Sequence, residues 1–389
     1  MEWTLLATAP LGLEALVERE VKELGYTVVS VDNGRVFFLA DGLGIARCNL
    51  WLRTADRVLL VVGRFRAETF DELFEGTKAL PWPDLIPRTA RFPVDGRSQK
   101  SQLSSVPACQ AIVKKAIVAS LQTRYRESWF EESGPDYRIE IVLQKDEAML
   151  TLDTSGAGLH KRGYRTSTGI APIKETMAAA LVLLSRWGGH RPFADPLCGT
   201  GTIVIEAAMI AANMAPGMQR EFASEAFDWV GAKAFETARQ EAEDSEDRAT
   251  APAFPLVGSD IDSRALRMAE EHARLAGVSR LIEFRTQDVQ SFAPVAEYGC
   301  IVTNPPYGER IGDQEQVRIV ETALGRILED SPTWSLFVLT ASKGFARHVG
   351  RREERVRKLY NGRIECKFYQ YLGPLPPRRI MQAGGLERP

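Results

Sequence analysis

The chain has 389 residues, 44% hydrophobic and 26% charged, enough to bury the cores of about two or three domains. No apolar run approaches the roughly 20 residues of a membrane helix, which argues against a membrane role. A net charge of −2 argues only weakly against nucleic acid, because local clusters set the field that a phosphate backbone meets. One basic cluster gathers around Arg88, Arg91, Arg97, Lys100, Lys114 and Lys115, and a second runs from Lys343 to Lys367, including Arg351 and Arg352. The first residues, Met1 to Leu6, carry no basic segment and no long apolar stretch, so no secretory signal is expected and the expected location is the cytoplasm. Five scattered cysteines and four separated histidines show no metal-ligand or disulfide spacing, and no metal is expected.

In chain order, residues 3–8 alternate like a strand, Leu13 to Leu24 carries apolar residues at helical spacing, and Thr27–Val31 and Arg35–Leu39 flank the tight-turn pair Asn33-Gly34. Strand, helix, strand, strand is a ferredoxin-like beginning. A second block predicts a strand at Arg57–Phe65, a helix near Phe70–Ala79, a strand at Ala90–Val94 and a helix from Ala108 to Leu121. It closes with strands at Tyr137–Gln144 and Ala148–Thr154. Arg97 and Lys100 then fall in a basic, hydroxyl-rich loop before a helix N-terminus, where free N–H groups favour phosphate; an ordinary polar loop is the equal alternative.

The second half alternates strands (Arg191–Pro196, Pro255–Asp260, Ile282–Gln287, Gly299–Thr303, Trp334–Ala341) with helices at Thr202–Ala212 and Ser263–Ala276. That alternation builds a parallel, doubly wound sheet with ligands at the C-terminal strand ends. Arg355–Tyr360 and Arg363–Tyr371 surround Asn361-Gly362, so an antiparallel hairpin ends the sheet, as in Rossmann-like methyltransferases. The acidic run Glu241 to Asp247 reads as a solvated insertion.

Asp195-Pro196-Leu197-Cys198-Gly199-Thr200-Gly201-Thr202 lies between a strand and an apolar helix. Gly199 and Gly201 permit close approach of a ligand, while Thr200, Thr202 and the helix N-terminus can face a carboxylate. At the next strand end, Asp260 beside Ile261 can accept both ribose hydroxyls of a nucleoside, and Asp262 is placed to cap the following helix. Asp288 and Val289 offer a carboxylate and an N–H for an adenine edge, with a solvated turn aspartate as the alternative. Asn304-Pro305-Pro306-Tyr307 is the most specific piece, since a polar side chain before two prolines at a strand end is hard to justify by packing; a strand end rigidified by proline is the alternative. If the Asn304 side-chain oxygen and the Pro305 carbonyl each accept one N–H, a planar amine turns its lone pair toward a sulfonium methyl, while Tyr307 stacks on the base. The pattern reads as methyl transfer from S-adenosylmethionine to an amino nitrogen.

Together these motifs resemble the THUMP-domain family of RNA guanine-N2 methyltransferases, especially its bacterial RlmL-like branch acting on 23S ribosomal RNA. The resemblance covers nearly the whole chain. It implies an N-terminal ferredoxin-like domain over residues 1–60, a THUMP RNA-binding module over 45–156, and a Rossmann-like class I methyltransferase domain over 157–389 with an insertion at about 218–252. By resemblance, Leu159 to Arg165 and Ala171-Pro172-Ile173-Lys174-Glu175 form the junction and the helix leading into the cofactor site, and Lys174 and Glu175 border the methionine end of the cofactor, with a helix-start ion pair as the alternative. The longest members carry a second methyltransferase domain; this chain ends at Pro389, so one methylation is expected. Structured RNA is the implied partner, ribosomal RNA favoured and transfer RNA possible, with the nucleotide, the degree of methylation and the oligomeric state left open. DNA amino-methylation, protein-glutamine methylation and a non-catalytic RNA-binding role in assembly are the competing readings, because all but the last present the same planar nitrogen.

Overall fold

The computed structural model describes residues 2–165, 173–185, 187–246, 252, 254–294, 296–307 and 314–377. Ala171, Pro172 and Asp247 of the motifs above lie outside them. The chain separates into two compact units. The first holds the chain up to Ala9, Val17–Leu159 and Arg220–Glu241; the second holds Pro10–Leu16, His160–Gln219 and the chain from Ala242 onward. Arg220–Glu241, inside the expected insertion, thus clusters with the first unit.

The first unit is built from β1 (Trp3–Thr8), α1 (Glu14–Glu23) from Val17 onward, β2 (Thr27–Asp32), β3 (Arg35–Ala40), α2 (Gly42–Trp51) and β4 (Arg57–Arg66). There follow α3 (Phe70–Lys78), α4 (Trp82–Leu85), β5 (Val94–Gln99), α5 (Val106–Tyr125), β6 (Ile139–Gln144) and β7 (Glu147–Asp153). Its strands form one seven-stranded sheet in the order β2-β3-β1-β4-β7-β6-β5. The ten-residue β4 joins the two α+β halves, pairing with β1 through Arg57 to Leu60 and with β7 through Leu59 to Arg66. Only β5 and β6 run parallel.

Three local features differ from the sequence reading. The strand expected at Ala90–Val94 is displaced to Val94–Gln99, with Arg91 left in an isolated bridge to Asp136. Arg97 and Lys100 therefore sit on and just after a strand, and the Ser105 side chain caps nothing at the start of α5. The shift follows from Asp95, Arg97 and Gln99, whose alternate exposure suits a polar edge strand. Helix α2 was unread because Gly42 and Gly44 are poor helix formers. Asp41 caps it through the Gly44 amide at 2.9 Å, and a Cβ at Gly44 would lie 2.9 Å from the Tyr26 ring. The acidic run is no solvated insertion at its start: Glu241 is helical and holds the Arg47 guanidinium at 2.6 Å.

The second unit comprises α6 (Glu175–Leu184), β8 (Phe193–Asp195), α7 (Thr202–Ala211), the end of α8 (Ala234–Ser245), β9 (Leu256–Asp260), α9 (Ser263–Leu275) and β10 (Ile282–Thr286). It continues with β11 (Cys300–Thr303), α10 (Gln314–Asp330), β12 (Ser335–Thr340), α11 (Phe345–Val349), β13 (Arg355–Asn361) and β14 (Ile364–Tyr371). The sheet order is β10-β9-β8-β11-β12-β14-β13, parallel from β10 to β12, with β14 running antiparallel against β12 and β13. Phe193 of β8, Val302 of β11 and Phe337 of β12 are buried with Ile203, Val204 and Ala207 of α7 in one apolar cluster, which fixes the strand ends from which the site grows. Among the described residues no helix is long and apolar enough to cross a membrane.

Candidate functional site

The order β10-β9-β8-β11 makes the β8–β11 boundary the point where connections leave in opposite directions, so a crevice opens beyond those strand ends. The glycine turn follows β8 and Asn304 follows β11, and the two are tied together: the Thr303 hydroxyl donates to Asp195 Oδ1 at 2.6 Å. The Leu197 amide also faces that oxygen, at 3.3 Å. Asp195 is 1% exposed, and burial pushes its carboxyl up to about 7 despite those two donors.

The turn itself needs its glycines. Gly199 and Gly201 have φ of +53° and +81°, and a Cβ on Gly201 would lie 2.9 Å from the Ala269 methyl. Gly201 is the N-cap of α7 and brings no side-chain cap, so the first amides of that helix remain available to a ligand. Cys198 is buried in the turn and its amide donates to the Ser259 carbonyl at 2.9 Å, while Thr202 opens the helix.

Asp260 clasps the turn. Its Oδ2 accepts the Gly199 amide and its Oδ1 the Asp262 amide, each at 2.9 Å, leaving one lone-pair direction on each oxygen. Asp262 caps α9 through the Arg264 amide at 2.8 Å, the capping role weighed for it above. Ile261 between them is 67% exposed, an apolar surface beside the carboxylate. The Gln287 amide donates to the Asp260 carbonyl at 3.0 Å and brings the β10 end alongside. There Asp288 turns its Oδ1 to the Gln290 amide at 2.9 Å, and Val289 is buried.

Lys174 is the N-cap residue of α6 and is exposed, whereas Glu175 is buried. Here the structure adds a residue the sequence reading quoted without a role. Arg165 donates to Thr202 Oγ1 at 2.6 Å and pairs with Glu175 Oε1 at 3.3 Å. Yet Arg165 Nε and Glu175 Oε2 are buried without partners among the described residues, and desolvation raises the Glu175 carboxyl. An orphaned cationic donor and an orphaned carboxylate oxygen beside a glycine turn fit the carboxylate and ammonium of an amino acid. Behind them Arg162 faces Glu206 at 3.4 Å, and the Tyr164 hydroxyl donates to the same carboxylate at 3.2 Å. The only advance signal for Arg165 was a cluster of basic residues just ahead of an apolar helix.

At the β11 end Pro305 is buried and Pro306 exposed, and Asn304 is half-buried. The Tyr307 ring packs against the apolar cluster and its hydroxyl donates to Asn304 Oδ1 in a short hydrogen bond. Asn361 Nδ2 and Cys366 Sγ, from the β13–β14 hairpin, approach the same hydroxyl at 3.5 and 3.8 Å. The structure thus gathers Asp195, the turn, Asp260 and Asn304 around one crevice. Arg97 and Lys100 belong to the first unit, and Arg351 and Arg352 precede β13; Arg97 pairs with Glu140 at 3.1 Å and Arg351 with Glu354 at 3.2 Å.

Family models match an RlmL ferredoxin-like domain at residues 4–59, a THUMP domain at 67–153 and an RMKL-like methyltransferase domain at 162–370. A Bacillus subtilis (strain 168) protein, YpsC, provisionally named an RNA methyltransferase, is 50% identical over 97% of this chain and 98% of its own. The large-subunit ribosomal RNA methyltransferase K/L of Syntrophotalea carbinolica is 35% identical over 94% of this chain, which spans 53% of that relative's length. A solved structure of SMU.472 complexed with SAH, provisionally described as a methyltransferase, is 42% identical with a TM-score of 0.91, covering 97% of this chain and 99% of that one. The chain therefore belongs to the RMKL-like methyltransferase family, with the ferredoxin-like and THUMP modules of its RlmL branch preceding the transferase domain.

Proposed function

We propose that this chain transfers a methyl group from S-adenosylmethionine to the exocyclic N2 of a guanine in structured RNA, with 23S ribosomal RNA the favoured substrate. The observation that carries the reading is the juxtaposition of Asn304 with the glycine turn through the Thr303–Asp195 hydrogen bond. The cofactor supplies an electrophilic methyl on a sulfonium. Arg165 and Glu175 suit its amino-acid end, Asp260 its ribose, and Ile261, Asp288 and Val289 its base. The Asn304 amide oxygen and the Pro305 carbonyl accept the two N–H bonds of the target amine, turning its lone pair out of the ring plane. Asn is too weak a base to deprotonate the amine first, so as the N–CH3 bond forms the S–CH3 bond breaks to leave S-adenosylhomocysteine, and the methylated nitrogen then loses its proton to water. Tyr307 offers a ring face to the unstacked base, worth roughly 1–3 kcal/mol against the few kcal/mol of unstacking. Arg97, Lys100, Arg351 and Arg352 supply phosphate contacts.

The Asn-Pro-Pro-Tyr geometry serves adenine, cytosine or glutamine amides equally well; the THUMP and ferredoxin-like modules favour RNA. Nucleoside mass spectrometry of ribosomal and transfer RNA from a deletion strain tests this: N2-methylguanosine should be lost from one of them. Intact N2-methylguanosine with loss of a methylated DNA base or a methylated glutamine overturns it. Asn304→Ala should abolish transfer and leave cofactor affinity within about twofold, read by calorimetry.

A further inference from the structure

The sheet of the first unit carries a second cationic feature on the face away from α3 and α5. Gly63 and Phe65 of β4 face Leu80 and Gly76 on the helical side, so Arg64 projects to the other. Cross-strand register places Phe37, Leu6 and Leu59 in one row on that open face, and Arg64, Met149, Val142 and Arg97 in another. Leu6, Phe37, Leu59, Val142 and Met149 form a small buried cluster there. The Arg64 guanidinium lies 4.0 Å over the Phe37 ring. Arg35 Nη1 reaches Gln144 Oε1 at 3.5 Å, although β3 and β6 are separated by three intervening strands. In a flat sheet those strands would be roughly 19 Å apart, beyond the combined reach of the two side chains. The sheet must therefore curl toward this face, helped by the register break between Val61 and Gly63 in β4.

The result is a concave surface with an apolar floor and guanidiniums from β3, β4 and β5 above it. Neither Arg35 nor Arg64 meets a carboxylate within 4.0 Å among the described residues, while Arg97 shares Glu140 and stays 59% exposed. Arg35 holds its proton less tightly than usual, chiefly through burial and then through the positive charges of Arg97 and Arg64, with Glu140 and Asp32 opposing. Mutually repelling cations gain when an anion comes between them. The floor is too deeply buried to offer apolar area to a protein partner or a stacking base, since Leu6, Phe37 and Leu59 are each at most 3% exposed. Charge is what remains for recognition, and it suits a phosphodiester chain.

We propose that this concave face binds the phosphate backbone of the RNA substrate through Arg35, Arg64 and Arg97. The proposal rests on the RNA reading above and adds the site and its sequence-independent mode. The full chain is titrated with a fluorescent 20-nucleotide single-stranded RNA and with an RNA stem-loop across a range of potassium chloride concentrations. Arg35→Gln/Arg64→Gln/Arg97→Gln should bind at least tenfold more weakly and flatten the salt slope by about 2, at about 0.7 per lost phosphate contact. The triple lysine variant should keep most of the slope, and Arg88→Gln/Arg91→Gln, whose guanidiniums pair with Glu127 and Asp136, should change little. Affinity for S-adenosylhomocysteine and the melting temperature should stay unchanged in all three, showing that both units fold. A glutamine triple with wild-type affinity and slope overturns the site while leaving the RNA reading intact. A lysine triple as weak as the glutamine triple, with a lowered melting temperature, shows that the arginines only cover the floor. Absence of RNA binding by the wild-type chain, or preference for a poly-glutamate peptide, overturns both.

Discussion

The Tyr307 hydroxyl occupies the Asn304 oxygen that the proposed reaction needs. It donates to Asn304 Oδ1, and Asn361 and Cys366 approach it from the β13–β14 hairpin. Burial raises the phenol well above its ordinary value, so the group remains a proton donor throughout the physiological range. An incoming amine must share or displace that hydroxyl before Asn304 can accept from it. Tyr307→Phe keeps the ring and removes the competitor. A neutral hydrogen bond is worth about 0.5–1.5 kcal/mol net, so kcat/KM for methyl transfer should rise by about 2- to 12-fold, with cofactor affinity unchanged. Tyr307→Ala also removes the ring, and the lost stacking of about 1–3 kcal/mol should lower kcat/KM by roughly 5- to 150-fold. The assay is single-turnover transfer from labelled S-adenosylmethionine to RNA at subsaturating RNA. A fall in kcat/KM for Tyr307→Phe would refute the reasoning, because it would mean that the hydroxyl orients Asn304 and does not compete for it.

Two further outcomes follow from buried charge. Asp195 is lifted from 3.8 to about 7 by burial, so its neutral form is favoured in the fold; the stability this contributes is complete below about pH 4 and is lost as pH rises through 7, on the order of 4 kcal/mol by linkage. Urea unfolding at pH 5 and pH 8 should show a smaller pH-dependent loss for Asp195→Asn than for wild type, and equal losses would remove Asp195 as the cause. Asp260→Ala severs the bonds to the Gly199 and Asp262 amides, so S-adenosylhomocysteine should bind at least tenfold more weakly by calorimetry; an unchanged Kd would move the proposed ribose role to Asp262 or elsewhere.

What the sequence showed of this molecule was mostly what neighbouring residues decide among themselves. Asn33-Gly34 and Asn361-Gly362 announced their hairpins because Gly34 and Gly362 need φ of +72° and +64°, a demand set by the turn alone. Helix α10 was equally readable and went unread, since Val317, Val320, Leu324 and Leu328 hold helical spacing and are buried. The displaced β5 has another origin: its polar residues are strand-like only because β6 lies beside them, so pairing and not propensity places it. The same division runs through the site. Gly201, Asp260 and Asn304 stand at strand ends and could be picked out one by one. The contacts that give them chemistry could not, because each joins distant parts of the chain: Arg165 to Thr202, Asp195 to Thr303, Tyr307 to Asn361. Asp195 shows why this matters for function. As a letter in a motif it is an ordinary acid beside a glycine turn; burial first, and the nearby Asp260 after it, raise it to about 7 against the Thr303 and Leu197 hydrogen bonds, so that it is largely neutral below that pH. Below that pH a neutral Asp195 adds no charge to the turn it precedes, so the motif is less acidic in the fold than its letters suggest.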